Sequence, residues 1–258
     1  MYQSNPPRPP KEVLPTMYDL PSENPEEPGL PDEFHDFQPQ LLRETFAPAN
    51  YPVEEIFVGT DLNLYYDVRN HLWYKRPDWF AVLGVSPSTQ QKDLRLSYVI
   101  WQEGVHPFIV VELLSPGTEQ EDLGQTLREV NKPPTKWQVY EQLLRVPYYI
   151  IFDRYSNHLR AFQLVGTRYQ ELNLPEQKLL FNEIHLILGV WQGCYQNVQG
   201  LWLRWYHSNG DLILTAAERV KQEHTRAEQE HIRAEQERAR AERLAAKLRD
   251  LGIDPSQL

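Results

Sequence analysis

Between about Tyr51 and Ala216 the chain alternates short apolar runs with turn-forming residues. Ile56-Phe57-Val58, Leu62 to Tyr66, Trp79 to Val85, Tyr98 to Trp101 and Phe108 to Leu114 each have strand length. A second set follows at Tyr148 to Phe152, Leu159 to Val165, Leu186 to Trp191 and Leu201 to Tyr206. Turn stretches such as Asp153–Asn157 and Ser208-Asn209-Gly210 punctuate them. Pro107 to Leu114 is almost wholly apolar, the pattern of a strand covered on both faces. Thr135 to Leu144 breaks the strand period, because Trp137, Tyr140, Leu143 and Leu144 fall at helical spacing. Strand, helix and strand in that order predict a mixed α/β core with a helix on one face of a partly parallel sheet.

The flanks differ from this core. Residues 1–33 read as a disordered, acidic lead, since ten of the 21 prolines fall within residues 1–40 and proline supports neither helix interior nor central strand. A helical signal begins near Phe34, with Leu41, Leu42 and Phe46 on one face and Pro39 in its first turns. The α/β domain is read as residues 34–215. From 216 to 258 a seven-residue repeat, Arg226-Ala-Glu-Gln-Glu-His-Ile and its two successors, predicts a long charged helix. Its opposite charges pair at i,i+4 in Arg226/Glu230, Arg233/Glu237 and Arg238/Glu242. Ala227, Ala234, Ala241 and Leu248 mark one possible coiled-coil seam, but Leu244 and Leu251 supply its second position only at the end. A solvated single helix and a self-associating or partner-docking helix both fit.

Charge and composition narrow the function. The formal net charge is −10, so the molecule as a whole does not steer toward nucleic acid. Part of that acidity belongs to the lead, where residues 1–40 hold eight acids and two bases. The single cysteine, Cys194, excludes an intramolecular disulfide framework and a cysteine-built zinc cluster. No apolar stretch reaches the roughly 20 residues that span a bilayer, and the N-terminus lacks a secretory layout. The expectation is a soluble, cytoplasmic protein.

The chemistry concentrates between Pro77 and Asp153. Asp78 opens one apolar run and Glu112 sits inside another, 34 positions later. Asp78, Phe80 and Val82 share one strand face, as do Val110, Glu112 and Leu114. A carboxylate in a buried strand costs several kcal/mol unless paired or metal-bound. Glu112 therefore requires a partner, either a cation at a site shared with Asp78 or a basic side chain. Two carboxylates with water suit Mg²⁺ or Mn²⁺.

Pro77-Asp78, Val111-Glu112-Leu113-Leu114-Ser115-Pro116, Lys136-x-x-x-Tyr140 and Tyr148-Tyr149-Ile150-Ile151-Phe152-Asp153 together resemble the Uma-two family of restriction endonucleases, within the PD-(D/E)XK superfamily. The ending Trp202-Leu203-Arg204-Trp205-Tyr206, Gly210, a Glu/Arg/Ala helix and Lys247-Leu-Arg-Asp-Leu-Gly-Ile-Asp-Pro255 is similar as well. The resemblance covers roughly residues 50–258. It implies a restriction-endonuclease-like α/β fold with a mixed sheet flanked by helices, followed by the long C-terminal helix. It also implies a DNA-cutting site in which Asp78 and Glu112 hold the metal with a backbone carbonyl near residue 113. A homodimer is expected on analogy, since a duplex has two strands to cut.

The family's usual lysine, two positions after the Glu, is Leu114 here. In this family a lysine just before the helix tyrosine looks like a migrated substitute, and Lys136 holds that place. Lys136 either faces Asp78 and Glu112 as a catalytic group or is an ordinary helix lysine. Ser115 and Asp122 read as loop and cap residues or as second partners of the site. Asp153 reads as a turn residue, Glu44 as a solvated acid, and His35, which resembles a family histidine, as a surface side chain. Lys75, Arg76, Lys92 and Arg95 read as exposed loop charge that could meet phosphates, and Trp202 and Trp205 as core or dimer-contact residues. The competing function is a catalytically inactive nuclease-like scaffold that recruits a partner through its C-terminal helix.

Overall fold

The computed structural model describes residues 32–115, 119–125 and 132–250. The proline-rich lead before residue 32, read from sequence as disordered, lies outside the described residues. In chain order, α1 (Glu33–Thr45) precedes β1 (Ile56–Thr60), and the short β2 (Leu64–Tyr65) and β3 (Tyr74–Lys75) lead to β4 (Trp79–Leu83). β5 (Tyr98–Val99) and the single turn α2 (Ile100–Glu103) come before β6 (Ile109–Leu113). α3 (Glu119–Asp122) and α4 (Lys136–Gln138) connect onward to β7 (Tyr148–Asp153), β8 (His158–Val165) and β9 (Arg168–Glu171). β10 (Lys178–Phe181), β11 (Leu186–Tyr195) and β12 (Val198–His207) complete the strands, and α5 (Ala216–Asp250) follows.

The main sheet has the order β1-β4-β6-β7-β8-β9. β6 and β7 are parallel, whereas β4 pairs β6 antiparallel, so the sheet is mixed. Parallel pairing needs a crossover, and the chain from α3 to α4 lies within it. Alternation along β6 divides the core. Ile109, Val111 and Leu113 join the cluster with Trp79, Leu42 and Trp205, while Val110 and Leu114 join Phe80, Tyr98, Val139 and Tyr140 on the other face. Glu112 points to that second face, beneath the α4 segment.

Some expectations need amendment. The run Tyr98–Trp101 is strand for only two residues, because the chain turns into α2 and closes on Gly104, whose positive φ of 74° suits glycine. The helix expected over Thr135–Leu144 is α-helical only through Gln138 and then widens into a π-turn at Val139–Leu143, where the Leu144 amide donates to the Val139 carbonyl at 2.8 Å. Such turns recur at functional sites. β9 and β10 escaped prediction because Arg168–Glu171 is polar and Lys178–Phe181 is short and half-exposed. β11 and β12 meet in a two-residue hairpin at Gln196-Asn197, both with positive φ.

The chain divides into two compact units after Ile213. In the second, Thr215 and Glu218 form a capping box: the Glu218 amide donates to Thr215 Oγ1, and the Thr215 amide to Glu218 Oε2. α5 carries the expected pairs Arg226–Glu230, Arg233–Glu237 and Arg238–Glu242 at 3.0, 3.4 and 3.3 Å.

Candidate active site

The antiparallel register of β4 and β6 sets Trp79 opposite Val111 and Phe80 opposite Val110. One step further along that register brings Asp78 beside Glu112, at the point where main-chain pairing stops. Asp78 Oδ2 accepts a 2.6 Å hydrogen bond from the Leu113 amide. Glu112 is fully buried. Its Oε1 accepts from the Tyr140 hydroxyl at 2.8 Å, and its Oε2 lies 3.1 Å from Lys136 Nζ. Lys136 also meets Asp122 Oδ1 at 2.8 Å, and Asp122 is only 1 % exposed.

Local sequence explains how α4 delivers Lys136. Thr135 caps the helix through reciprocal bonds with Gln138, both 3.3 Å, which fixes Lys136 at the first helical position. The Lys136 amide donates to Glu121 Oε1 at 3.1 Å, and Lys75 Nζ holds the same oxygen at 2.7 Å. The π-turn carries Tyr140 toward Glu112. Tyr149 of β7 donates its hydroxyl to the Asp122 carbonyl at 3.0 Å and so ties α3 to the sheet.

Carboxyl groups outnumber the ammonium in this cluster, and burial resists their ionisation. Burial raises the Glu112 pKa well above the ordinary value, with Lys136 opposing the shift and Asp122 and Asp78 adding to it. Burial raises Asp78 too, against Lys136 and His35. Burial works against the Lys136 ammonium, but Glu112, Asp122 and Asp78 outweigh it and hold its pKa well above the lysine norm. Lys136 therefore stays charged. The Tyr140 hydroxyl is pushed far up by burial and by Glu112, so it serves only as a neutral donor.

His35 belongs to this neighbourhood and not to the surface. Its side chain is 10 % exposed. Nδ1 lies 2.8 Å from Asp32 Oδ1, while Nε2 lies 3.1 Å from the Leu113 carbonyl and 3.0 Å from Ser115 Oγ. Asp32 caps α1 by accepting from the His35 amide, and Arg154 binds its other oxygen. Sequence reading left Asp122 as a loop or cap residue or a second partner of the site, and took His35 as a surface side chain. The one available signal for Asp122 was Glu112 itself, since a buried lysine among acids gathers more than one of them.

The remaining candidates stand apart. Leu114 is buried among the apolar side chains of the β6 face. Glu44 accepts from the Tyr195 hydroxyl at 2.9 Å. Asp153 accepts from the Tyr155 amide and the Ser156 hydroxyl, a turn role. Arg76 pairs with Asp61, Arg95 pairs with Glu103, and Lys92 is exposed. Trp202 and Trp205 are buried, the latter completely.

Among the described residues no three His, Cys, Asp or Glu side chains already surround one point as metal ligands. Asp78 and Glu112 nevertheless bring two carboxyl groups side by side at one strand end, with the Leu113 amide bonded to Asp78, and Mg²⁺ keeps several waters when protein supplies few ligands. The excess of carboxylates over ammonium is what a divalent cation would relieve, so the residues fit such an ion.

A family model described as "Uma2: Putative restriction endonuclease" matches residues 14–191, a span that includes Asp32, His35, Asp78, Glu112, Asp122, Lys136 and Tyr140. The chain belongs to the Uma2 family. No curated protein shows significant similarity to it. The mixed six-stranded sheet with its parallel β6–β7 pair is the restriction-endonuclease-like fold that Uma2 membership entails. Among the described residues no helix is long and apolar enough to cross a membrane.

Proposed function

We propose that this Uma2 protein is a divalent-metal-dependent endonuclease that hydrolyses phosphodiester bonds in DNA. One observation carries the reading: Glu112 and Asp122 both contact Lys136, with Asp78 beside them at the end of β6, an excess of buried carboxyl groups that a structural ion pair does not require. Held by Asp78 and Glu112 beside the Leu113 carbonyl, Mg²⁺ or Mn²⁺ would supply positive charge to the scissile phosphate and acidity to the attacking water. Lys136 would orient that water and offset charge developing in the transition state, doing from a helix what a lysine at position 114 would do from the strand. Asp122 keeps the ammonium in place, and Tyr140 fixes the rotamer of Glu112. A cytoplasmic homodimer, offering one site to each strand, completes the proposal.

Leu114 favours a second reading, a nuclease-like scaffold without activity that works through α5. Calorimetric titration of Mn²⁺ and Mg²⁺ into wild type, Asp78→Ala and Glu112→Ala separates the two, with plasmid nicking read from the same samples. Metal binding and nicking in wild type, both lost in the variants, are expected. A wild-type protein that binds neither ion would leave the scaffold reading.

A further inference from the structure

The β4–β6 ladder ends at Trp79 and Val111, and β6 continues to Leu113. On that side the Leu113 peptide has side chains where a strand would otherwise pair. Its amide donates to Asp78, and its carbonyl faces His35 Nε2 at 3.1 Å. The imidazole is itself fixed from behind. Asp32 Oδ1 and the Leu113 carbonyl oxygen both accept, so the 2.8 and 3.1 Å contacts together call for a proton on each ring nitrogen, Nδ1–H toward Asp32 and Nε2–H toward Leu113. Asp32 is held in turn by the His35 amide and by Arg154, whose guanidinium lies 5.1 Å from the Phe34 ring centroid. A chain of contacts thus runs from the end of β7 through the cap of α1 to the end of β6.

We infer that His35 is a positioning residue for the cation site: anchored by Asp32 and Arg154, it fixes the Leu113 carbonyl where the sheet no longer does. The inference rests on the metal-dependent reading above. Among the described residues, Asp78, a residue the cation itself would claim, is the partner left to the Leu113 peptide on this edge once His35 is removed. The same ring nitrogen lies 3.0 Å from Ser115 Oγ, so the clamp spans the first two residues after the strand as well. Partners that orient ligating groups typically contribute about 10–100-fold to metal affinity.

The test is Mn²⁺ titration by calorimetry into the full chain, as wild type, His35→Ala, His35→Gln and Asp32→Asn, with thermal melts confirming that each variant folds. His35→Ala should weaken Mn²⁺ binding by roughly 10–100-fold. His35→Gln, which keeps an N–H able to reach the Leu113 carbonyl, should recover most of that loss, and Asp32→Asn should fall between the two. Electron spin-echo spectroscopy of bound Mn²⁺ should show no directly coordinated nitrogen; a coordinated nitrogen lost in His35→Ala would make His35 a ligand and overturn the positioning role. Unchanged or tighter Mn²⁺ binding in folded His35→Ala, beside a wild type that binds, would overturn this inference alone. A wild type that binds no Mn²⁺ would overturn the metal-dependent reading and this one with it.

Discussion

The Lys136 ammonium lies 3.1 Å from the Glu112 carboxylate, although the two stand 24 positions apart, one on a helix and one in the middle of a sheet. That contact, with Asp122 on the other side of the same nitrogen, ties the α4 segment to β6 and balances part of the charge beneath it.

Removing the ammonium should be costly. Lys136→Met leaves Glu112 and Asp122 buried without their cation, and breaking one side of such a pair typically costs about 3–5 kcal/mol. Urea unfolding without metal should show a loss of that order. Glu112→Gln in the same background should restore part of it, since the two residues are coupled and their effects should not add. Additive losses would show that the contact contributes nothing.

Leu114 offers a direct test of which position supplies the lysine. Leu114→Lys alone should lower stability by about 2 kcal/mol, the order of one buried leucine side chain. Combined with Lys136→Met it should return metal-dependent plasmid nicking that Lys136→Met abolishes, because residue 114 shares the strand face of Glu112. A double variant as inactive as Lys136→Met would place the requirement on the helix itself.

Gly124 closes the turn after α3 with φ +68°, and a Cβ there would lie 2.7 Å from the Trp137 ring. Gly124→Ala therefore meets both a left-handed backbone and a clash with the residue that follows Lys136. A loss of about 1–3 kcal/mol is expected in thermal or urea unfolding, together with weaker Mn²⁺ binding as α4 shifts.

Glu141 contributes to the acid limb of stability. Burial alone would raise its pKa, but the Tyr169 amide, Gln142 and Arg168 outweigh burial and bring it below the ordinary 4.5. A depressed carboxylate stabilises the fold fully above its unfolded pKa, and that contribution is lost as pH falls through the folded value. Stability measured from pH 6 downward should therefore drop below about pH 4.5, and Glu141→Gln should flatten that drop while lowering stability at neutral pH. An unchanged acid limb would remove Glu141 from the account.

Much of this was legible in the chain. Largely apolar runs made β4, β6 and β7 readable because a strand buried on both faces must be apolar nearly throughout, and that requirement is local. The same property exposed Glu112, a charge where none belongs. The Arg/Glu/Ala heptads specified α5 through contacts one turn apart. Family resemblance pointed to Lys136, but whether it reached Glu112 or solvent depended on how the π-turn and the crossover packed on β6. The site of His35 was hidden and the role of Asp122 left open for a related reason: a histidine near the start of a helix, and an acid just past a strand end, look the same in sequence whether water or a sheet end lies opposite. The sequence determined which residues carry charge and which segments are buried. The tertiary structure decided which charges meet, because partners 24 to 80 positions apart are chosen by sheet register and helix docking.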